Sequence, residues 1–151
     1  MQTYYLGDII LDFSDSTGLL INRLAHAMAL DMDRRLKEYN VTMSQWAMLK
    51  QLWCQEGKSQ VELQELLGLD AATVTGLVQR MAHLDLIQRQ PDPNDKRMQR
   101  VYLTERGRAL KQITAIFEEE VNARALQNFS DDERAFFIRL LTRAQQNYEG
   151  K

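Results

Sequence analysis

The chain of 151 residues has one cysteine, Cys54, so no disulfide can staple the monomer. That fits a reducing compartment, and the cytoplasm is the expected location. There are two prolines, Pro91 and Pro93, and they lie in one short segment. The rest of the chain is therefore open to helix. Seven glycines are scattered rather than clustered, so no phosphate-cradling glycine loop is present. The two histidines, His26 and His83, are far apart in sequence, and no cysteine pair accompanies them, so neither a metal site nor a cofactor is expected. There is no His-Glu-x-x-His motif and no nucleophile elbow, which argues against an enzyme. No apolar run is long enough to cross a bilayer, and no basic stretch precedes an apolar leader. Net charge is also scarce, at −2, which by itself does not suggest nucleic acid.

What charge there is, however, is unevenly placed. Residues 73–111 hold eight basic side chains against four acidic ones, leaving that segment at +4 and the remainder at −6. A basic zone on an acidic body suits phosphate binding by one face. The same charges could instead form a solvated, salt-bridged helix surface. Within this zone, Ile87–Gln90 and Gln99–Leu103 read as two short strands. Pro91 and Pro93 block a helix between them, and Asn94-Asp95 is turn chemistry. Lys96, Arg97 and Arg100 put positive charge at and near the tip. So small a hairpin cannot fold alone.

The residues before it supply a support. Thr42-Met-Ser-Gln45 is a capping box that opens a helix carrying Trp46, Leu49, Leu52 and Trp53, and Gly57 stops it. Ser59-Gln-Val-Glu62 opens a short helix with Val61, Leu63, Leu66 and Leu67, followed by a turn at Gly68-Leu69. Asp70 caps the next helix, in which Val74, Leu77, Val78, Met81 and Leu84 point inward. Two short helices across a tight glycine turn, followed by a basic hairpin, make a winged helix-turn-helix. A long helix from about Ser16 to Tyr39 precedes this unit, with Leu20, Leu24, Met28, Met32 and Leu36 on one stripe. After it, Thr104 caps a helix to about Gln127 with Ile113, Ile116, Phe117 and Val121 on one side, and Ser130-Asp-Asp-Glu133 opens a last helix with Phe136, Phe137, Leu140 and Leu141. The expected fold is mainly α with a small β-wing. It forms a single domain over 1–151, with the winged unit at about 42–104 and its helix-turn-helix core at about 57–80. The segments 1–40 and 105–151 are left as dimerisation helices, because their apolar faces have no partner in the monomer. The apolar arm over residues 1–15 is expected to pack on something, such as a second subunit.

Together these residues resemble the multiple-antibiotic-resistance regulator (MarR) family of bacterial transcription factors. The resemblance runs from about Leu19 to Leu141 and is sharpest at Asp92-Pro-Asn-Asp-Lys-Arg97 and Val101-Tyr-Leu-Thr-Glu-Arg-Gly107. The family's Asp-x-Arg wing pair and Leu-Thr-x-x-Gly helix start fall on Asp95, Arg97, Leu103, Thr104 and Gly107. Ala72-Thr-Val-Thr75, leading to Arg80, resembles its recognition helix. Many members carry Arg directly after the residue matching Thr75, where this chain has Gly76. Many carry Gly at the end of that helix, where it has Asp85, a residue that tolerates the left-handed conformation.

The resemblance implies a sequence-specific regulator that binds double-stranded DNA, on a pseudo-palindromic operator, as a homodimer. It further implies a repressor released by a small aromatic or anionic effector. On that scheme Thr73, Thr75 and Gln79 face base edges and phosphates, with Arg80 and His83 further along. Ser59 and Gln60 offer N–H groups and side chains to a phosphate. Arg97 enters the minor groove and is held by an ion pair to Asp95, while Arg89, Lys96 and Arg100 supply charge to the backbone. The effector would sit between dimerisation helices and winged domain, lined by Met28, Met32, Met43, Trp46 and Trp53, which also fit an ordinary core. Cys54 is expected to be buried or half-buried and not a redox sensor. The alternative is a winged-helix module that binds a protein rather than DNA, although the basic wing has no role in that case.

Overall fold

The computed structural model describes residues 16–149, and before them the backbone of two short strands, β1 (Tyr4–Leu6) and β2 (Ile9–Leu11). These two pair antiparallel, with Tyr5 opposite Ile10. The expectation that the side chains of this N-terminal arm pack on another surface lies outside the described residues.

The main body runs α1 (Thr17–Lys37), α2 (Met43–Cys54), β3 (Lys58–Ser59), α3 (Gln60–Leu67), α4 (Ala71–His83), β4 (Ile87–Pro91), β5 (Gln99–Leu103), α5 (Glu105–Ala125) and α6 (Asp131–Glu149). The helix starts are set by local chemistry. Thr42 and Ser59 each accept the N–H three residues on, and the Gln45 and Glu62 side chains each accept the cap residue's own N–H. Ser130 and Glu133 repeat this reciprocal pair at α6. Asp70 accepts from the Thr73 N–H at 2.9 Å, and Thr104 from the Gly107 N–H at 3.1 Å. The stops are equally local. Gly68 ends α3 at φ 64°, and Asp85 follows α4 at φ 55°, the left-handed conformation that ends a helix.

The sheet order is β3–β5–β4, all antiparallel. β4 and β5 are the wing, in register from Ile87 opposite Leu103 to Pro91 opposite Gln99. β3 was not expected: two residues before α3 pair with Val101 and Arg100 and tie the wing to the helix-turn-helix. The core lies beneath these elements. Leu36, Met48, Leu49, Leu52, Leu63, Val74, Leu77, Val78, Met81, Leu86 and Leu103 are all fully or nearly fully buried.

Several expected faces shift. In α3 only Leu63 is buried, while Val61 and Leu66 are exposed. In α5 the buried positions are Gly107, Leu110, Thr114 and Val121, and Ile116 points to solvent. Gly107 is where α5 meets the end of α4. A Cβ there would lie 2.1 Å from the Leu86 carbonyl oxygen, a separation no side chain can occupy. Cys54, expected to be shielded, is exposed at the end of α2.

Candidate nucleic-acid interface and effector cavity

The helix α4 buries Val74, Leu77, Val78 and Met81 and turns its other side outward. Thr73, Gln79, Arg80 and His83 are all exposed there. Two of the threonines are tied down. The Thr73 hydroxyl donates to Asp70 at 2.6 Å, and the Thr75 hydroxyl donates to Gln60 Oε1 at 3.2 Å. The Thr73 hydrogen bonds hold the Asp70 carboxyl below its ordinary value, first through the hydroxyl and then through the backbone N–H. Gln60 and Thr75 thus form a clasp between α3 and α4. Gln79 and Arg80 make no side-chain hydrogen bond among the described residues and are available to a partner.

Ser59 departs from its expected role. It is buried, its hydroxyl accepts from the Glu62 N–H, and its own N–H donates to the Glu62 carboxylate at 2.7 Å. Its N–H is therefore committed to the capping box, and its hydroxyl oxygen serves there as an acceptor. The Ser59 backbone N–H, and after it the Ser59 hydroxyl, hold the Glu62 carboxyl below its ordinary value.

The wing is organised around Asp92 rather than Asp95. Asp92 is buried, and its carboxylate accepts the N–H groups of Asn94 at 2.7 Å and Asp95 at 3.2 Å. Its other oxygen accepts from Arg100 Nε, while Arg100 Nη1 donates to the Gly57 carbonyl at 2.6 Å. The Asn94 N–H, and after it the Arg100 guanidinium, hold the Asp92 carboxyl below its ordinary range; Asp92 in turn raises Arg100. Arg100 is therefore a strut that joins the wing base to the turn after α2. It is not a free cation for a DNA backbone, since a partner would have to compete with Asp92 for it.

The expected ion pair between Asp95 and Arg97 is not formed either. Asp95 accepts the Arg97 backbone N–H at 3.0 Å, a short turn in which the guanidinium takes no part. Arg97, Lys96 and Arg89 are exposed and have no ion pair among the described residues. Sequence reasoning passed over Asp92 as the wing's organiser, although Asp followed two and three residues later by turn N–H groups is the pattern of an Asx turn. It also passed over Glu56, which binds Arg108 through both oxygens at 3.0 and 2.9 Å and accepts the Leu103 N–H at 3.1 Å. That joint fixes the angle between α2, the wing and α5.

Four of the five expected effector residues come together. Met28, Met32, Met43 and Trp46 line a cavity of about 190 Å³ between α1, α2 and α5, completed by Ala29, Glu118, Val121 and Asn122. The lining carries no Lys, Arg or His. Lys50 stands nearby, ion-paired to Glu118 and 4.6 Å from the Trp46 ring centre. The indole N–H of Trp46 is buried without an acceptor among the described residues. Trp53 does not join them: its indole N–H donates to the Gly107 carbonyl at 2.9 Å and secures α2 against the start of α5.

Beyond this cavity α1 and α5 are joined by charge. Asp31 is buried and meets Arg35 at 3.5 Å and Arg124 at 3.2 Å, and Arg35 also pairs with Glu120. Burial raises the Asp31 pKa, but the Arg124 hydrogen bond and the surrounding arginines outweigh it and leave the group lowered. Among the described residues no three His, Cys, Asp or Glu side chains gather as a metal site, and no helix is long and apolar enough to cross a membrane.

A model of the MarR family matches residues 41–98, the span from the start of α2 to the tip of the wing. The multiple antibiotic resistance protein MarR of Escherichia coli (strain K12) is 30% identical over 126 residues, which cover 80% of this chain and 88% of that protein. The HTH-type transcriptional repressor NicR of Pseudomonas putida is 27% identical, over 86% of this chain and 82% of that protein. Among solved structures, Bordetella bronchiseptica BpsR, described in terms of the regulation of its DNA binding by 6-hydroxynicotinic acid, superposes with a TM-score of 0.73. It is 27% identical over 89% of this chain and 96% of its own.

Proposed function

Since the chain belongs to the MarR family of transcriptional regulators, we propose that it is a homodimeric, sequence-specific DNA-binding repressor of the cytoplasm, released from a pseudo-palindromic operator by a small effector. The observation that carries this reading is the wing. Asp92 and Arg100 neutralise each other inside the hairpin, while Arg89, Lys96 and Arg97 on the same hairpin stay exposed and without an ion pair among the described residues. Partner-free cations beside an outward polar helix face suit a duplex, with α4 in the major groove and Arg97 at the minor groove. Two copies are invoked because α6 buries none of its own residues and leaves Phe136, Ile138, Leu140 and Leu141 exposed.

The cavity between α1, α2 and α5 is the effector site in this reading. Its size suits a single flat ring, its methionines adapt to one, and Trp46 can stack on it and donate to an acceptor. A ligand wedged there would change the angle between α1, α5 and the winged unit, and so the spacing of the two recognition helices.

Fluorescence anisotropy of the protein on the duplex upstream of its own gene and on a scrambled duplex, across a salt series, tests the proposal. Tighter binding to the upstream duplex, with affinity falling steeply as salt rises, is the expected result. No binding even at low salt would overturn it in favour of a protein-binding winged module.

A further inference from the structure

The outward face of α4 has an unusual centre. At 100° per residue, the line opposite Val74, Leu77, Val78 and Met81 passes through Ala72, Gly76, Gln79 and His83. Two of those four are the smallest residues available. Gly76 stands in mid-helix, where glycine weakens a helix relative to alanine. It does not answer a backbone need, since it lies in regular helix without a positive φ. What lies over it is Arg80. A Cβ built on Gly76 would sit 3.2 Å from Arg80 Nη1 and 3.9 Å from Cζ. The guanidinium is thus folded back by one turn toward the start of α4, the direction in which helix side chains lean. Arg80 is exposed, and among the described residues it has neither an ion pair nor a side-chain hydrogen bond to hold it there.

We propose that Gly76 determines sequence preference by leaving the centre of the α4 reading face open for the Arg80 guanidinium, which takes the base-contacting position that a side chain at 76 would otherwise hold. This rests on the DNA-binding reading above. An arginine reaching from position 80 presents its planar fork to the two acceptors of a guanine edge. It also arrives along a different line from one rooted at 76, so the operator base pair it reads and the angle of approach differ from those of a chain with Arg at 76.

Gly76→Ala, Arg80→Ala and the double variant test this by anisotropy on the upstream duplex and on single-base-pair variants of it, alongside thermal melts. Gly76→Ala is expected to raise Tm by several degrees while weakening DNA binding about three- to tenfold, opposite signs that a merely structural role would not produce. Arg80→Ala is expected to weaken binding about 5- to 150-fold and to relax discrimination at one base pair. Added to Arg80→Ala, the alanine at 76 should cost little more. Wild-type affinity for Gly76→Ala would overturn the proposal, and so would an equal loss in both backgrounds. A uniform loss over all duplexes for Arg80→Ala would make it a phosphate contact and also overturn it. If the wild-type protein binds no duplex, the DNA-binding reading itself fails.

Discussion

The middle of the molecule and its ends are built on opposite terms. From Leu36 to Leu103 most apolar side chains close over one another: fourteen are buried within a single chain, and Val61 and Leu66 on the outer side of α3 are the main exceptions. At the ends they do not. Leu20 in α1 is 52% exposed, Phe136 is 51% and Ile138 is 55%, and α6 has no buried residue at all. The winged unit therefore buries most of its apolar side chains itself, whereas the terminal helices keep apolar surface that the described residues leave exposed. On the proposed function the contrast would divide the labour: a reading head with its own core, carried on helices whose packing a second copy would finish. Among the terminal helices themselves, Asp31, Arg35, Glu120 and Arg124 join α1 to α5 by charge.

The comparison breaks most sharply at Gly107. Its neighbour is backbone, the Leu86 carbonyl, which cannot rotate aside. Gly107→Ala should destabilise the fold by about 3 kcal/mol, read as a lower midpoint in urea unfolding. At the ends the logic inverts. Phe136→Asp with Ile138→Asp removes nothing buried in the protomer, so the winged core should keep its near-ultraviolet signal. Dimer dissociation, followed by light scattering on dilution, should become at least about 30-fold easier.

Asp92 sharpens the comparison within the wing. Its folded-state pKa is depressed, so its contribution is fully present above the unfolded value and is lost as pH falls through the folded one. The Tm deficit of Asp92→Asn should therefore be largest near neutral pH and shrink as the pH drops below about 4. The smallest effect is expected at Asp85, where φ is 55°. Asp85→Gly should raise stability by about 0.5–1 kcal/mol, since glycine adopts that conformation without steric cost.

The parts legible in the sequence are those fixed by near neighbours. The capping pairs Thr42–Gln45, Ser59–Glu62 and Ser130–Glu133 span three residues each, and all three helices start where those pairs say. The wing strands were legible for the same reason, while the left-handed Asp85 was legible only through the family resemblance, at a position where many members carry glycine. What depended on distant partners was not. β3 is two residues long and exists because β5 lies beside it. Ile116 and Leu110 are both apolar, and only the path of α1 and α2 decides that Leu110 is buried and Ile116 is not. Charges were the least legible. Lys96, Arg97 and Arg100 look alike in the sequence, yet one of the three is spent on Asp92 and Gly57.

That last distinction carries the account, and anisotropy titration of Arg97→Ala beside the wild-type protein, on the duplex it binds best, tests it most directly. A loss of about 1–3 kcal/mol in binding with an unchanged melting temperature is expected, because Arg97 is exposed and its side chain joins nothing among the described residues. Wild-type affinity in a folded Arg97→Ala protein would contradict it and remove the wing from DNA recognition.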